Sequence, residues 1–171
     1  MTTNGSVEHA NRRLIIPFDR DLADFVEQYE QVVPTADLAA FAALTSWQEH
    51  LDLAERTAPY GFMRYYGVDL TAVFATASAP WTGRQYLMGN HTIAERMFRH
   101  DPAVMLHAPL RTLLYVDPAG TTNLAVDQPS LLFGSYGSTE IEAVGRHLDS
   151  LLAGLVVTLG GDAPTELRHD S

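Results

Sequence analysis

The chain has 171 residues, of which 46% are hydrophobic and 19% are charged, and its formal charge at pH 7 is −10. These values fit one globular domain with its own core and exclude a nucleic-acid partner, because phosphate binding needs clustered cations. All 11 basic residues are arginine and cysteine is absent, which excludes a lysine Schiff base, a thiol nucleophile, a disulfide and a thiolate metal site.

The distribution of apolar residues indicates a protein that stays in the cytoplasm. No apolar run reaches the roughly 18 residues of a membrane span, and the segment MTTNGSVEHANRR lacks the apolar stretch of a signal peptide. We therefore expect no membrane partner. We expect a disordered leader over 1–12, one domain over 13–162 and a polar tail over 163–171.

The first part of the chain is predicted to form one strand and two helices. The apolar run RLIIPFD (13–19) indicates a strand, and apolar residues at helical spacing indicate a helix over 20–33. Pro34 ends this helix, and Thr35 caps a second one within a helical segment over 35–59. The apolar face of the second helix consists of Leu38, Phe41, Leu44, Trp47 and Leu51.

The rest of the chain alternates strands and helices and ends in a long helix. Strands are predicted over 62–70 and 84–90, and helices over 71–77 and 91–101. Two further strands flank the turn Pro118-Ala119-Gly120, which indicates a hairpin. A capping box of Thr139 and Glu142 starts the last helix, and Gly160-Gly161 ends it. This order predicts an α+β fold, a single-domain sandwich of a mixed β-sheet with helices packed on one face.

A series of weak matches to one family runs through residues 60–160. The matching positions, in chain order, are Gly89 and Asn90 at a strand exit, Ala94 and Met97 in a helix, Pro102 after it, Leu106, Ala108, Pro109 and Leu110 before a strand that ends at Asp117, and Asp127-Gln128-Pro129 after the hairpin. On these positions the segment resembles the family called domain of unknown function 302.

The resemblance implies a compact α+β domain that is often a dimer, and it implies no particular activity. Two features depart from the family pattern. His91 stands where the family usually has proline, and the helical segment 35–59 has the character of an insertion near the N-terminal helix. Both departures indicate a specialised member.

His91 is the position best suited to acid–base chemistry. It follows Asn90 at a strand-to-helix junction, where backbone N–H groups favour the neutral imidazole. The alternative is a partly exposed histidine without a role. His107 lies among apolar neighbours and either backs the site or is a core histidine bonded to the backbone, and His100 is most simply a cation at a helix C-terminus. His91 and Glu95 have metal-ligand spacing, but a third ligand is missing.

Aromatic residues and arginines cluster upstream of His91. The cluster lies on or beside two predicted neighbouring strands and consists of Arg64, Tyr65, Tyr66, Trp81, Arg84 and Tyr86. An aromatic wall with guanidinium groups suits a planar or carboxylate-bearing ligand. The alternative is ordinary sheet packing with surface arginines. The segment GSYGS (134–138) departs from the nucleophile-elbow pattern, and no strand is followed by a dinucleotide fingerprint.

These residues together predict a protein that binds a small molecule, and more specifically a cofactor-independent acid/base enzyme of isomerase, cyclase or lyase type in bacterial specialised metabolism. In this hypothesis His91 is the acid/base group, and Asn90 and Tyr86 orient the ligand. Arg84 or Arg64 binds the anionic part of the ligand. Tyr66 and Trp81 form the aromatic wall, and His107 lies behind the site. We expect no cofactor, no metal and a homodimer. A non-catalytic binding or dimerisation module, or a haem- or metal-binding protein, is the alternative.

Overall fold

The computed structural model describes residues 5–78 and 81–169. The predicted leader and tail lie partly outside these ranges, at 1–4 and 170–171. Residues 5–12 are exposed and carry no regular structure. Residues 163–169 pack on the domain, because a short 3-10 helix there (Thr165–Leu167) buries Leu167 in the core.

The described residues form five strands and seven α-helices. The strands are β1 (Arg13–Phe18), β2 (Met63–Asp69), β3 (Gly83–Gly89), β4 (Leu110–Val116) and β5 (Thr122–Asp127). The helices are α1 (Leu22–Val32), α2 (Leu38–Ala42), α3 (Trp47–Thr57), α4 (Leu70–Val73), α5 (His91–Phe98), α6 (Pro129–Gly134) and α7 (Thr139–Thr158). A second 3-10 helix (Pro102–Leu106) follows α5. The predicted α+β class is confirmed.

The five strands form one sheet in the order β1-β5-β4-β3-β2, and every neighbouring pair is antiparallel. The sequence predicts a mixed sheet, and this detail is wrong. The long connection from β1 to β2 carries the chain from one edge of the sheet to the other, so it creates no parallel pair. Within the described residues, parallel pairing is limited to an isolated bridge between Thr35 and Arg64.

Alternation along the strands separates a buried face from an open one. On the buried face, Leu14, Leu114 and Met88 pack with residues of α1 and α7 in the main core. On the opposite face, Ile15 and Arg111 are exposed. The helices of the main core therefore cover one side of the sheet, and this arrangement leaves the end of β3 beside α5 and α7.

The helical segment over 35–59 is two helices rather than the one predicted. Thr35 takes part in the bridge to Arg64, and Asp37 instead caps α2 by accepting a hydrogen bond from the backbone of Ala40. Ser46 and Glu49 then form a capping box that starts α3. The apolar spacing continues across this break and therefore predicts one helix. The sequence Ser-Trp-Gln-Glu nevertheless carries the capping-box signal for a new helix start. After this break, α3 packs against α5.

The hairpin and the closing helix form as predicted. Gly120 ends the turn between β4 and β5 with a φ of +87°, a conformation that favours glycine. The N-cap of α7 is Ser138, one residue before the predicted Thr139, because its side chain accepts a hydrogen bond from the backbone of Ile141. The short helix α6 has no counterpart in the prediction.

Candidate ligand site

An apolar cavity of about 230 Å³ lies beside the end of β3, between α5, α6 and α7. Its apolar lining consists of Gly89, Ile93, Ala94, Met97, Met105, Ala108, Pro109, Leu110, Phe133 and Leu148. The polar residues in the lining are Tyr65, Asn90 and His91, which are close to one another at the start of α5. The cavity is therefore apolar along most of its surface and polar at one end.

The end of β3 sets the position of this polar end. A Cβ atom at Gly89 would lie 3.4 Å from the side chain of Pro109, an ordinary van der Waals contact, so the strand end lies against the opposite wall of the cavity. Asn90 caps α5, and its side-chain oxygen accepts a hydrogen bond from the backbone of Thr92 at 3.0 Å. The amide oxygen of Asn90 is thus used by the fold, while its NH₂ group remains a potential donor to a ligand.

Tyr65, His91 and His50 form a hydrogen-bonded chain at the polar end of the cavity. The Tyr65 Oη accepts a hydrogen bond from the backbone N–H of His91 at 3.0 Å, and it lies 3.0 Å from Nδ1 of the same residue. The Nε2 atom of His91 lies 3.3 Å from Nδ1 of His50. Both ring nitrogens of His91 are therefore engaged within the protein.

Aromatic side chains of α2 and α3 hold the two histidine rings. Trp47 stacks on His50 with ring centroids 5.4 Å apart and an interplanar angle of 22°. Phe41 meets His91 edge to face at 4.3 Å. The segment over 35–59 therefore packs its aromatic residues against the polar end of the cavity.

Burial keeps both cavity-facing titratable groups neutral near pH 7. Desolvation lowers the pKa of His91, and the neighbouring His50 lowers it further. Desolvation raises the pKa of Tyr65. A neutral imidazole that is hydrogen-bonded to a neutral phenol can take the hydroxyl proton directly. Proton transfer at this site therefore needs no earlier ionisation of either group by solvent.

The lowered pKa of His91 predicts a pH-dependent stability. An unfolded histidine binds a proton near pH 6.5, whereas folded His91 does so only at lower pH. The unfolded state therefore binds more protons in this window, and the free energy of unfolding should fall as pH decreases through it. Urea unfolding at about pH 8 and about pH 5.5 measures the fall.

His91→Gln should reduce this fall. The comparison with the unchanged chain isolates His91, because burial also lowers the pKa of His107 and His147 and both remain in the variant. An identical pH dependence in the two proteins would contradict the desolvated environment of the His91 ring.

Three other predicted site residues belong to a separate cluster beneath α1. Tyr86 donates a hydrogen bond to Glu30 at 2.7 Å, and both Arg84 and Arg64 pair with the same carboxylate at 3.4 and 3.3 Å. Arg84 also pairs with Asp69 at 3.5 Å. None of these side chains lines the cavity. The structure does not bring the predicted aromatic and guanidinium groups to His91.

A β-bulge explains why Tyr65 reaches His91 and its neighbours do not. The register between β2 and β3 shifts between Arg64 and Tyr66, so Tyr65 is the extra residue of the bulge. Bulges re-aim a side chain relative to the strand alternation. Tyr66 is 54% exposed and does not line the cavity.

The remaining predicted positions also lie outside the cavity. Trp81 is 53% exposed. His107 lies behind the wall, where its ring meets Phe133 edge to face at 6.4 Å, and His100 is exposed. Sequence reasoning placed Tyr65 in the aromatic cluster without giving it a role, and it missed His50, Phe41 and Trp47 as parts of the site. The spacing of Trp47 and His50, three residues apart after a capping box, is the signal that could have placed those two on one helix face.

Within residues 5–78 and 81–169, no group of three or more His, Cys, Asp or Glu side chains is arranged to hold a metal ion. Of the helices described, none combines the length and the apolar character needed to span a membrane.

Comparison with known proteins gives a match to a family and a similarity to a solved structure. The model of the family "domain of unknown function DUF302" matches residues 53–155. No curated protein matches the chain. Among solved structures, the fold is similar to that of an uncharacterised conserved DUF302 protein from Bacillus stearothermophilus, with a TM-score of 0.64 and 14% identity over 86% of this chain and 97% of the other. Tyr65, Asn90 and His91 lie within the matched residues, and His50 lies before them.

Proposed function

The chain belongs to the DUF302 family, and on that premise we propose that it binds a small uncharged molecule in its apolar cavity and catalyses proton transfer on it without a cofactor. One observation carries the proposal. The polar groups of the cavity converge at one end, where Tyr65 is hydrogen-bonded to His91. A concave, mostly apolar site with a few convergent polar groups is the usual form of a small-molecule site.

The lining of the cavity favours an uncharged ligand. It contains no arginine or carboxylate, and burial keeps the imidazole of His91 neutral. An anionic ligand would have to leave water without a compensating charge, which is costly. The cavity volume of about 230 Å³ lies below the roughly 300–1,000 Å³ of pockets for drug-sized ligands, so it suits a smaller molecule. A monocyclic ketone or enol is a ligand of this class.

The chemistry follows from the hydrogen bonds of Tyr65. Its oxygen takes a proton from the carbon next to the ligand carbonyl while its own hydroxyl proton passes to Nδ1 of His91. The carbonyl oxygen, which gains the negative charge of the enolate, accepts a hydrogen bond from the NH₂ group of Asn90. Return of the proton to a different carbon completes an isomerisation, so Tyr65 is the group in contact with the ligand and His91 acts through it.

Deuterium exchange tests this activity. Cyclohexanone is incubated with the protein in deuterated water, and proton NMR follows the loss of the signals next to the carbonyl. We expect faster exchange than in buffer alone, and no acceleration for 4-oxocyclohexanecarboxylate, which adds a charge to the same ring. If neither ketone exchanges faster than in buffer, the catalytic proposal fails, and the methyl signals of Met97 and Met105 on titration with cyclohexanone then decide whether the cavity binds the ketone without turnover.

The homodimer, the cytoplasmic location and the place in bacterial specialised metabolism stay predictions from the sequence.

A further inference from the structure

We propose that Tyr65, His91 and His50 form a relay that carries protons between the cavity and solvent, with His50 as the positioning residue that fixes where the protons lie on His91. The inference rests on the proposed function and adds a residue that precedes the family-matched range. It also gives a role to the aromatic side chains of α2 and α3.

The contacts allow two complementary arrangements of the protons along the chain of hydrogen bonds, called here the first and the second order. In the first, Tyr65 donates to Nδ1 of His91, Nε2 of His91 donates to Nδ1 of His50, and His50 carries its proton on Nε2. In the second, every donor becomes an acceptor, and the hydroxyl proton of Tyr65 turns into the cavity. Both orders use the same contacts of 3.0 and 3.3 Å. Neutral histidine has one donor and one acceptor nitrogen, which is what each order requires.

One pass along the relay converts the first order into the second and balances its protons. Tyr65 receives a proton from the ligand and gives its own to Nδ1 of His91. His91 gives the Nε2 proton to Nδ1 of His50, and His50 releases its Nε2 proton to water. One proton enters at the cavity and one leaves at the surface, so the three residues stay neutral while the ligand carries the negative charge of the enolate until a proton returns to it.

The outer end of the relay is open to solvent and its ring is held in place. His50 is half-buried, and within residues 5–78 and 81–169 its Nε2 atom makes no protein hydrogen bond. Trp47 stacks on the ring, and Phe41 lies parallel to it at 5.8 Å. The capping box of Ser46 and Glu49 fixes the turn of α3 from which Trp47 and His50 project.

Nitrogen NMR of the histidine rings and the exchange assay test the relay in the full chain. We compare the unchanged protein with His50→Phe, which keeps an aromatic ring beside Trp47 but removes the acceptor, and with His50→Asn, which keeps an acceptor oxygen. We expect His50→Phe to shift the ring nitrogens of His91 and to slow exchange by about tenfold or more, while cyclohexanone still binds. Added imidazole should restore part of the rate, and His50→Asn should retain the ring shifts of His91.

The two proposals fail in different ways. If the unchanged protein does not accelerate deuterium exchange into cyclohexanone, the proposed function fails. The nitrogen shifts of the His91 ring then still decide whether His50 sets the proton positions on His91. Unaltered ring shifts and an unaltered rate in His50→Phe would overturn the relay. If His50→Phe does not fold, His50→Asn in the absence and presence of imidazole supplies the same comparison. An exchange rate that depends neither on the substitution nor on imidazole overturns the relay as well.

Discussion

Tyr65→Phe is expected to reduce the rate of deuterium exchange into cyclohexanone by about 10²- to 10⁴-fold, the usual contribution of a general acid–base group. The change removes the hydroxyl through which Tyr65, a residue of the cavity lining, contacts His91. It also leaves the backbone N–H of His91 without its acceptor. An unpaired polar group of this kind costs about 1–3 kcal/mol, so urea unfolding is measured beside the rate.

The neighbouring residue supplies the matched control. Tyr66→Phe removes the same hydroxyl from a side chain that is 54% exposed and outside the cavity. We expect it to leave the rate and the free energy of unfolding nearly unchanged. Equal rates in the two variants would show that the Tyr65 hydroxyl takes no part in proton transfer.

Ala94→Phe is expected to abolish binding of cyclohexanone, with an apparent affinity at least about a hundredfold lower. Ala94 lines the cavity from α5, so a benzyl group there occupies the space that a ligand needs. Inserting atoms into a packed region costs about 1–3 kcal/mol, and the partly empty cavity should keep the cost near the lower end. Methyl NMR of Met97 reports the loss of binding.

An exposed alanine of another helix controls for the added ring. Ala143→Phe places the same side chain on the solvent side of α7 and should leave binding intact. If Ala94→Phe binds cyclohexanone as well as Ala143→Phe does, the ligand lies somewhere other than the cavity.

The fold was predictable wherever local signals and tertiary structure agree. The turn before β5 needs a glycine with positive φ, and Gly120 supplies it. The predicted apolar stripe of α7 is buried at Ile141, Val144, Leu148 and Leu155, and its fifth member, Leu151, is half-buried. The single helix predicted over 35–59 fails for the opposite reason. The apolar period continues across Ser46, while the capping box there favours a new helix.

The site was predictable only at its centre. Gly89 and Asn90 mark a strand exit and an N-cap, so the sequence placed His91 at a helix start. Its partners depend on contacts that no local pattern encodes. A β-bulge turns Tyr65 towards the imidazole, and Glu30 of α1 engages the polar groups of Tyr86 and Arg84 beneath another part of the sheet.

The methionine methyl groups test most directly whether the apolar cavity beside Tyr65 and His91 is the ligand site. Met97 and Met105 line the cavity, whereas Met63 and Met88 are buried outside it. Titration with cyclohexanone, followed by methyl NMR, should shift the signals of Met97 and Met105 and leave those of Met63 and Met88 in place. Shifts confined to Met63 and Met88, or no shift at saturating ketone, would contradict the proposed site.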